Sequence, residues 1–171
     1  MLESTPVYGL HLASKRVVKV AIQDCDEALQ DIYSLIRKQR SENPNFARRY
    51  MCLNLGVNAG ASKIAMEIQG VNNASFRIPD MRGNTPNKQP ICDRNDTGHC
   101  LKTRLPLDTI LCNLKAQGQR VKCSKDAGKF ICNYTYYRSL MHQEKAVCEG
   151  VECDALFVHV PNFSVVSKVE Q

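Results

Sequence analysis

Three side chains in separate stretches could work together as nucleophile, base and acid. Cys132 sits within residues 124–137, S-K-D-A-G-K-F-I-C-N-Y-T-Y-Y, after a β-like run at 120–123 and a turn at 126–128. The same stretch opens a helix-like run in which Phe130, Tyr134, Tyr137, Leu140 and Met141 fall on one face. A thiol in the first turn of a helix faces unpaired backbone N–H groups and the positive end of the macrodipole. That favours thiolate over thiol and makes such a cysteine a candidate nucleophile. His159 lies near the end of the apolar run 155–161, and Glu67 follows a buried-looking strand and a Gly-Ala-Ser loop. Cysteine, histidine and an acid in three elements are the parts of a cysteine-nucleophile triad. Each also has a structural role open to it. Cysteine is among the most buried residue types, the chain has nine, and a lone histidine in an apolar strand is commonly a hydrogen-bonded core group.

The elements that must position these groups alternate along the chain. Residues 17–22, V-V-K-V-A-I, read as a strand. Asp24 or Asp26 then caps a helix with Ala28, Leu29, Ile32, Tyr33, Leu35 and Ile36 on its apolar face. Pro44 marks a linker, and residues 50–55 read as a buried strand ending at Gly56. Residues 62–71 carry Glu67 in a loop passing into a strand. Residues 72–106, with Pro79, Pro86, Pro90 and Pro106, read mostly as loop, of a length that is usually functional or mobile. A helix follows at 107–117 with Gly118 just past its end. Then come a strand at 120–124, the Cys132 helix, a polar connection through Gly150, and a last strand at 155–160. This order implies an α/β fold: one three-layer α/β/α domain with a mostly parallel sheet covered on both faces. In such sheets sites form beyond the C-terminal ends of strands, and Glu67, Cys132 and His159 all fall at or after strand ends.

Composition narrows the function classes. A hydrophobic content of 43% and a charged content of 23% are ordinary for a globular domain of 171 residues. No apolar run approaches the roughly 20 residues that cross a bilayer, and no basic-then-apolar leader opens the chain, so neither membrane nor export is expected. The nine cysteines have no regular spacing and read as reduced thiols of a cytoplasmic protein. On that expectation the glycosylation sequons at Asn73, Asn95, Asn133 and Asn162 are chance. The net charge of +6 comes from scattered Lys and Arg without aromatic interleaving, so nucleic-acid binding is not expected. Cys92, His99, Cys100, Cys148 and Cys153 lack zinc-type paired spacing, and Gly56 and Gly60 do not form a phosphate loop. No metal and no cofactor are expected.

Three ordered motifs then carry a resemblance. D-A-G-K-F-I-C-N at 126–133, F-V-H-V-P at 157–161, and Leu55-Gly56-Val57, Met66-Glu67 and R-I-P-D-M-R-G-N-T-P at 77–86 are similar to the signatures of the pyroglutamyl-peptidase type I (pyrrolidone-carboxylate peptidase) family. The similarity runs from about residue 17 to Pro161. It implies a cysteine exopeptidase that removes N-terminal pyroglutamate from peptides by acyl transfer. Cys132 would be the nucleophile, His159 the base and acid, and Glu67 the group that orients the imidazole. By the same resemblance Arg77 lies near the oxyanion site, and Ile78, Phe130 and Ile131 line an apolar pocket for the pyrrolidone ring. Core packing remains the other role for those three. The sequence departs from the family at both ends. The family's T-G-F-x-P-F-G-G loop, whose phenylalanines clamp the ring, has no counterpart in residues 1–15, and the chain stops ten residues after Pro161. The expectation is a single pyroglutamyl-peptidase-like domain over residues 1–171, truncated at both ends, with a homo-oligomer open to it. The alternatives are a shortened, inactive or weakly active member that retains the triad, and an unrelated α/β binding protein.

Overall fold

The structure, a computed structural model, describes residues 11–42, 49–162 and 164. Its elements run α1 (Ile22–Glu42), β1 (Tyr50–Val57), β2 (Ile64–Glu67), β3 (Gln69–Val71), β4 (Cys100–Lys102), α2 (Leu107–Ala116), β5 (Val121–Ser124), α3 (Ile131–Cys148) and β6 (Cys153–Val160). Pro44 lies outside the described residues. None of the described helices is long and apolar enough to cross a membrane.

The main sheet has the order β1-β6-β2-β5. β1 pairs with β6 and β2 with β5 in parallel, while β2 and β6 run antiparallel. The sheet is therefore mostly parallel but built from two parallel pairs pointing opposite ways. α3 packs Tyr136, Tyr137 and Leu140 against Ala155 and Phe157 on one face. α1 adds Leu29, Tyr33 and Ile36 over Cys52 and Cys153 on the same side. α2 covers the other face with Leu107, Ile110, Leu111 and Leu114 against Met66, Leu156 and Val158. The result is the expected three-layer α/β/α arrangement.

Three local expectations fail for identifiable reasons. Residues 17–22 are not a strand: Val17 is 96% exposed, no strand pairs with the segment, and α1 begins at Ile22. The helix starts early because its cap comes from far away. The N–H of Ile22 donates to Oδ2 of Asp80, 58 residues on. Asp24 and Asp26 are not caps; Asp24 pairs with Arg82, and Asp26 with Arg138 and the Tyr134 hydroxyl. β1 is an edge strand with one open face, not a buried one: Met51, Leu53, Leu55 and Val57 are each at least 50% exposed. The alternate residues Cys52, Asn54 and Gly56 face α3, where Asn54 donates to Ser139 Oγ and to the Leu156 carbonyl. Small or polar residues stand there because the helix approaches closely.

The 72–106 segment is mostly loop, as read, and is tied together by backbone pairing and buried side chains. β4 pairs antiparallel with β3, and Ala74 bridges to Gln89. Asn72, fully buried, ties the far end together. Its Nδ2 lies 2.9 Å from the carbonyls of Cys92, Asn95 and Asp96, and its Oδ1 accepts from the N–H groups of Ile91 and Cys92 at 2.8 Å. Asp80 organises the near end, accepting from Ile22, Arg82 and Asn84. Burial alone would raise its pKa, but these donors outweigh it and hold the carboxyl at about 2.

Candidate active site

Antiparallel pairing of β2 with β6 brings the acid and the histidine together. In that ladder Glu67 stands opposite Phe157, and Ala65 opposite His159. Opposed residues share a face, so Glu67, Phe157 and His159 point the same way, with Glu67 and His159 as diagonal neighbours. Nδ1 of His159 lies 2.7 Å from Oε1 of Glu67, both side chains being buried. The meeting is thus made across a ladder, not at a common C-terminal rim of parallel strands as the chain order suggests.

Cys132 enters from α3, as its second residue. Its sulfur lies beside His159, whose pKa it raises together with Glu67. Since Nδ1 serves Glu67, Nε2 is the ring nitrogen left for the thiol. The sulfur sits over Gly56, which is opposite His159 in the β1–β6 register. A Cβ placed on Gly56 would lie 3.2 Å from Cys132 Sγ and 2.7 Å from Cζ of Phe157, so only glycine leaves room for the thiol here. No side chain caps the N-terminus of α3. The first turn of a helix leaves N–H groups without intrahelical partners, which suits it to an oxyanion.

Asn133, next to Cys132, clamps this helix start. Its Oδ1 accepts from the Val71 N–H, and its Nδ2 donates to the carbonyls of Val71 and Asn73. Fully buried and bonded, it is no glycan acceptor in the folded chain.

Electrostatics favour a charged imidazole. Burial lowers the pKa of His159, but its bonds and charge contacts with Cys132 and Glu67 raise it further, to about 9. The ring therefore holds its second proton at neutral pH. Among the other thiols, burial pushes up Cys25, Cys52 and Cys123, and takes Cys153 to about 12.

The remaining candidates are spread out. Phe130 is half-buried and meets Phe76 edge to face, with ring centroids 4.7 Å apart. Ile131 is buried in a cluster with Cys25, Phe76 and Tyr134 between α1 and α3. Arg77 and Ile78 are both exposed, and neither hydrogen-bonds to the triad side chains among the described residues. Gly56, Phe157 and Asn133 all stand inside the quoted motifs, but the motifs alone assign them no role: Asn133 closes the Cys132 motif, Phe157 opens the His159 motif, and Gly56 is the centre of Leu55-Gly56-Val57.

Known proteins resemble the chain along most of its length. The family profile described as Pyroglutamyl peptidase matches residues 12–170. The pyrrolidone-carboxylate peptidase of Brevibacillus brevis is 30% identical over 139 residues, which cover 80% of this chain and 57% of the relative. That of Treponema denticola is 26% identical over 161 residues, or 94% and 70%. A variant of the pyrrolidone carboxyl peptidase of Pyrococcus furiosus superposes with a TM-score of 0.67 at 28% identity, over 85% of this chain and 62% of its own. The Thermus thermophilus structure gives 0.66 at 25% identity, over 84% and 65%. The chain thus spans only part of these relatives' length, 57% of the Brevibacillus protein and 70% of the Treponema one.

Proposed function

The chain belongs to the pyroglutamyl peptidase family, and on that premise we propose that it cleaves N-terminal pyroglutamate from peptides by acyl transfer to Cys132. The observation that carries the proposal is the line Glu67–His159–Cys132, with the 2.7 Å bond from Nδ1 to Oε1 at its centre.

The steps follow from that line. His159 accepts the thiol proton and holds it as imidazolium beside the Glu67 carboxylate. The sulfur attacks the carbonyl that joins pyroglutamate to the second residue, forming the C–S bond and moving the π electrons onto oxygen. The first-turn N–H groups of α3 stabilise that oxyanion. Collapse breaks the C–N bond, and Nε2–H protonates the departing amine. The neutral imidazole then takes a proton from water, hydroxide attacks the thioester, and pyroglutamate leaves with the thiolate restored. Glu67 fixes the tautomer and supports the imidazolium in both halves. Phe130, Phe76 and Ile78 would meet the neutral pyrrolidone ring. A free N-terminal ammonium is rejected there, since burying it unpaired costs several kcal/mol. The nucleophile must be reduced, which suits a cytoplasmic setting.

A second reading is a family member with the triad geometry and weak turnover. It is favoured by one observation: Arg77 and Ile78 are exposed, and Arg77 makes no hydrogen bond to the triad side chains among the described residues. Release of aminomethylcoumarin from its pyroglutamyl amide decides between them. The first reading expects turnover that drops at least ~10³-fold in Cys132→Ser, with the alanyl amide untouched. A wild-type rate no higher than that of Cys132→Ser would contradict it.

A further inference from the structure

Tyr136 lies on α3 one turn after Cys132, on the same side of the helix, and is fully buried. Its hydroxyl donates to the main-chain carbonyl of Glu67 at 2.7 Å. Its ring lies 5.9 Å from that of Phe157, which lies 4.8 Å from that of His159. One side chain of the nucleophile's helix thus touches the backbone of the acid and, through a single intervening ring, the plane of the base.

The Glu67 side chain has little else to hold it. Oε1 is taken by His159, and Oε2, buried, has no hydrogen-bond partner among the described residues. Among the described residues the His159 bond is the carboxylate's one hydrogen bond, so its place depends on the backbone from which it springs. That backbone is the last residue of β2, where both ladders stop. We propose that Tyr136 is the positioning residue for the Glu67–His159 pair: its hydroxyl pins the main chain of Glu67, and its ring, through Phe157, sets the plane of the imidazole. Burial first, and then the Glu67 charge, push the phenol above its ordinary range, so it remains a donor at every working pH. The Thr103 side chain is a polar neighbour of the phenol and acts against that rise.

The role rests on the peptidase reading for its kinetic consequence but not for its spectroscopic one, and the experiment separates the two. Tyr136→Phe keeps the ring and deletes the hydroxyl. Tyr134→Phe is the matched control, since it loses a 2.8 Å bond to Asp26 on the α1 side. NMR titration of the His159 imidazole needs no substrate. The His159 midpoint should fall by about one unit in Tyr136→Phe and stay in place in Tyr134→Phe. On pyroglutamyl-aminomethylcoumarin, kcat should fall roughly tenfold to a hundredfold, with KM held within about twofold. Adding Tyr136→Phe to Glu67→Gln should lower kcat no further, because the tyrosine acts through the carboxylate. An unmoved midpoint in folded Tyr136→Phe, an equal shift in Tyr134→Phe, or an additive loss in the double variant overturns the proposal. If Tyr136→Phe does not melt cooperatively, Thr103→Val, which loosens the same phenol, is titrated instead: a downward shift supports the role and none overturns it. A wild-type chain that titrates as expected yet turns nothing over would sink the peptidase reading and leave this role standing.

Discussion

Gly56→Ala is a one-methyl test of how the site is packed. Its φ is not positive, so alanine suits the backbone and the whole effect is steric. The added Cβ would stand 2.7 Å from Phe157 Cζ and 3.1 Å from its Cε1, against an ordinary contact of 3.4 Å or more. The overlap is about 0.7 Å on a buried ring that cannot swing away, because Tyr136 and His159 flank it. Overpacking of this kind costs about 1–3 kcal/mol. At ~2–4 °C per kcal/mol for a domain of this size, Tm should drop by roughly 2–12 °C. The displaced ring carries His159 with it, and the methyl also crowds Cys132 Sγ at 3.2 Å. Turnover should therefore fall about 10²-fold, beyond what the lost stability explains at a temperature where the variant is folded. Differential scanning calorimetry and coumarin release measure the two effects. Gly60→Ala is the control, since its Cβ would meet only Asn58 Oδ1 at 3.8 Å. Phe157→Leu added to Gly56→Ala should return much of the lost Tm. A Gly56→Ala chain with wild-type Tm and turnover, or one that loses stability while keeping its rate, would refute the reasoning.

Two further outcomes follow from the charges. Glu67→Gln should fold but lose ~10²-fold or more in kcat/KM, by analogy with the ~10⁴-fold loss when a serine-protease triad acid is made an amide. Its alkaline limb should move down from about pH 9 towards the ordinary histidine value, because the carboxylate no longer supports the imidazolium; a wild-type pH–rate profile would make Glu67 structural. His142 is stacked on Tyr33 with centroids 4.3 Å apart, and burial, then neighbouring Arg138, Arg37 and Lys145, hold it down to about 4. Unfolded, it binds its proton near its ordinary 6.5, so the unfolded state carries more protons between those values and stability falls as pH drops through that window. Urea midpoints measured from pH 7 to 4 should show this slope, and His142→Gln should flatten it; an unchanged slope would show that His142 does not cause it.

The candidate reacting groups were the most legible part of the sequence. Cys132, Glu67 and His159 sit in short motifs, and the structure brings them together, Glu67 hydrogen-bonded to His159 and Cys132 beside it. The layers were legible too, since the alternation of β-like and helical periodicities leaves few ways to bury both faces of a sheet. Strand direction was not: nothing in I-A-M-E or in C-D-A-L-F-V-H-V states that these two strands run antiparallel, and that choice is what makes Glu67 and His159 diagonal neighbours. The cap on α1 was hidden for a similar reason. A helix-start rule looks within a few residues of the helix, whereas Asp80 arrives from 58 residues away. In β1, large apolar residues alternate with Cys52, Asn54 and Gly56, and a polar-outward rule turns the strand the wrong way. The close approach of α3, satisfied by Asn54 on Ser139 and by the bare Gly56, decides the orientation instead. Tyr136 is one of three tyrosines within four positions, and only its partner, a main-chain carbonyl, distinguishes it.

The proposed reaction passes through an acyl intermediate at one sulfur. Rapid acid quenching of the chain with excess pyroglutamyl-aminomethylcoumarin, followed by peptide mass spectrometry, looks for it directly. The expected result is a pyroglutamyl thioester on the peptide bearing Cys132, absent from the peptides bearing the other eight cysteines and absent throughout in Cys132→Ser. Coumarin release with no adduct on Cys132 but one on another residue, or release unimpaired in Cys132→Ser, would contradict the assignment of Cys132, His159 and Glu67 as the working site.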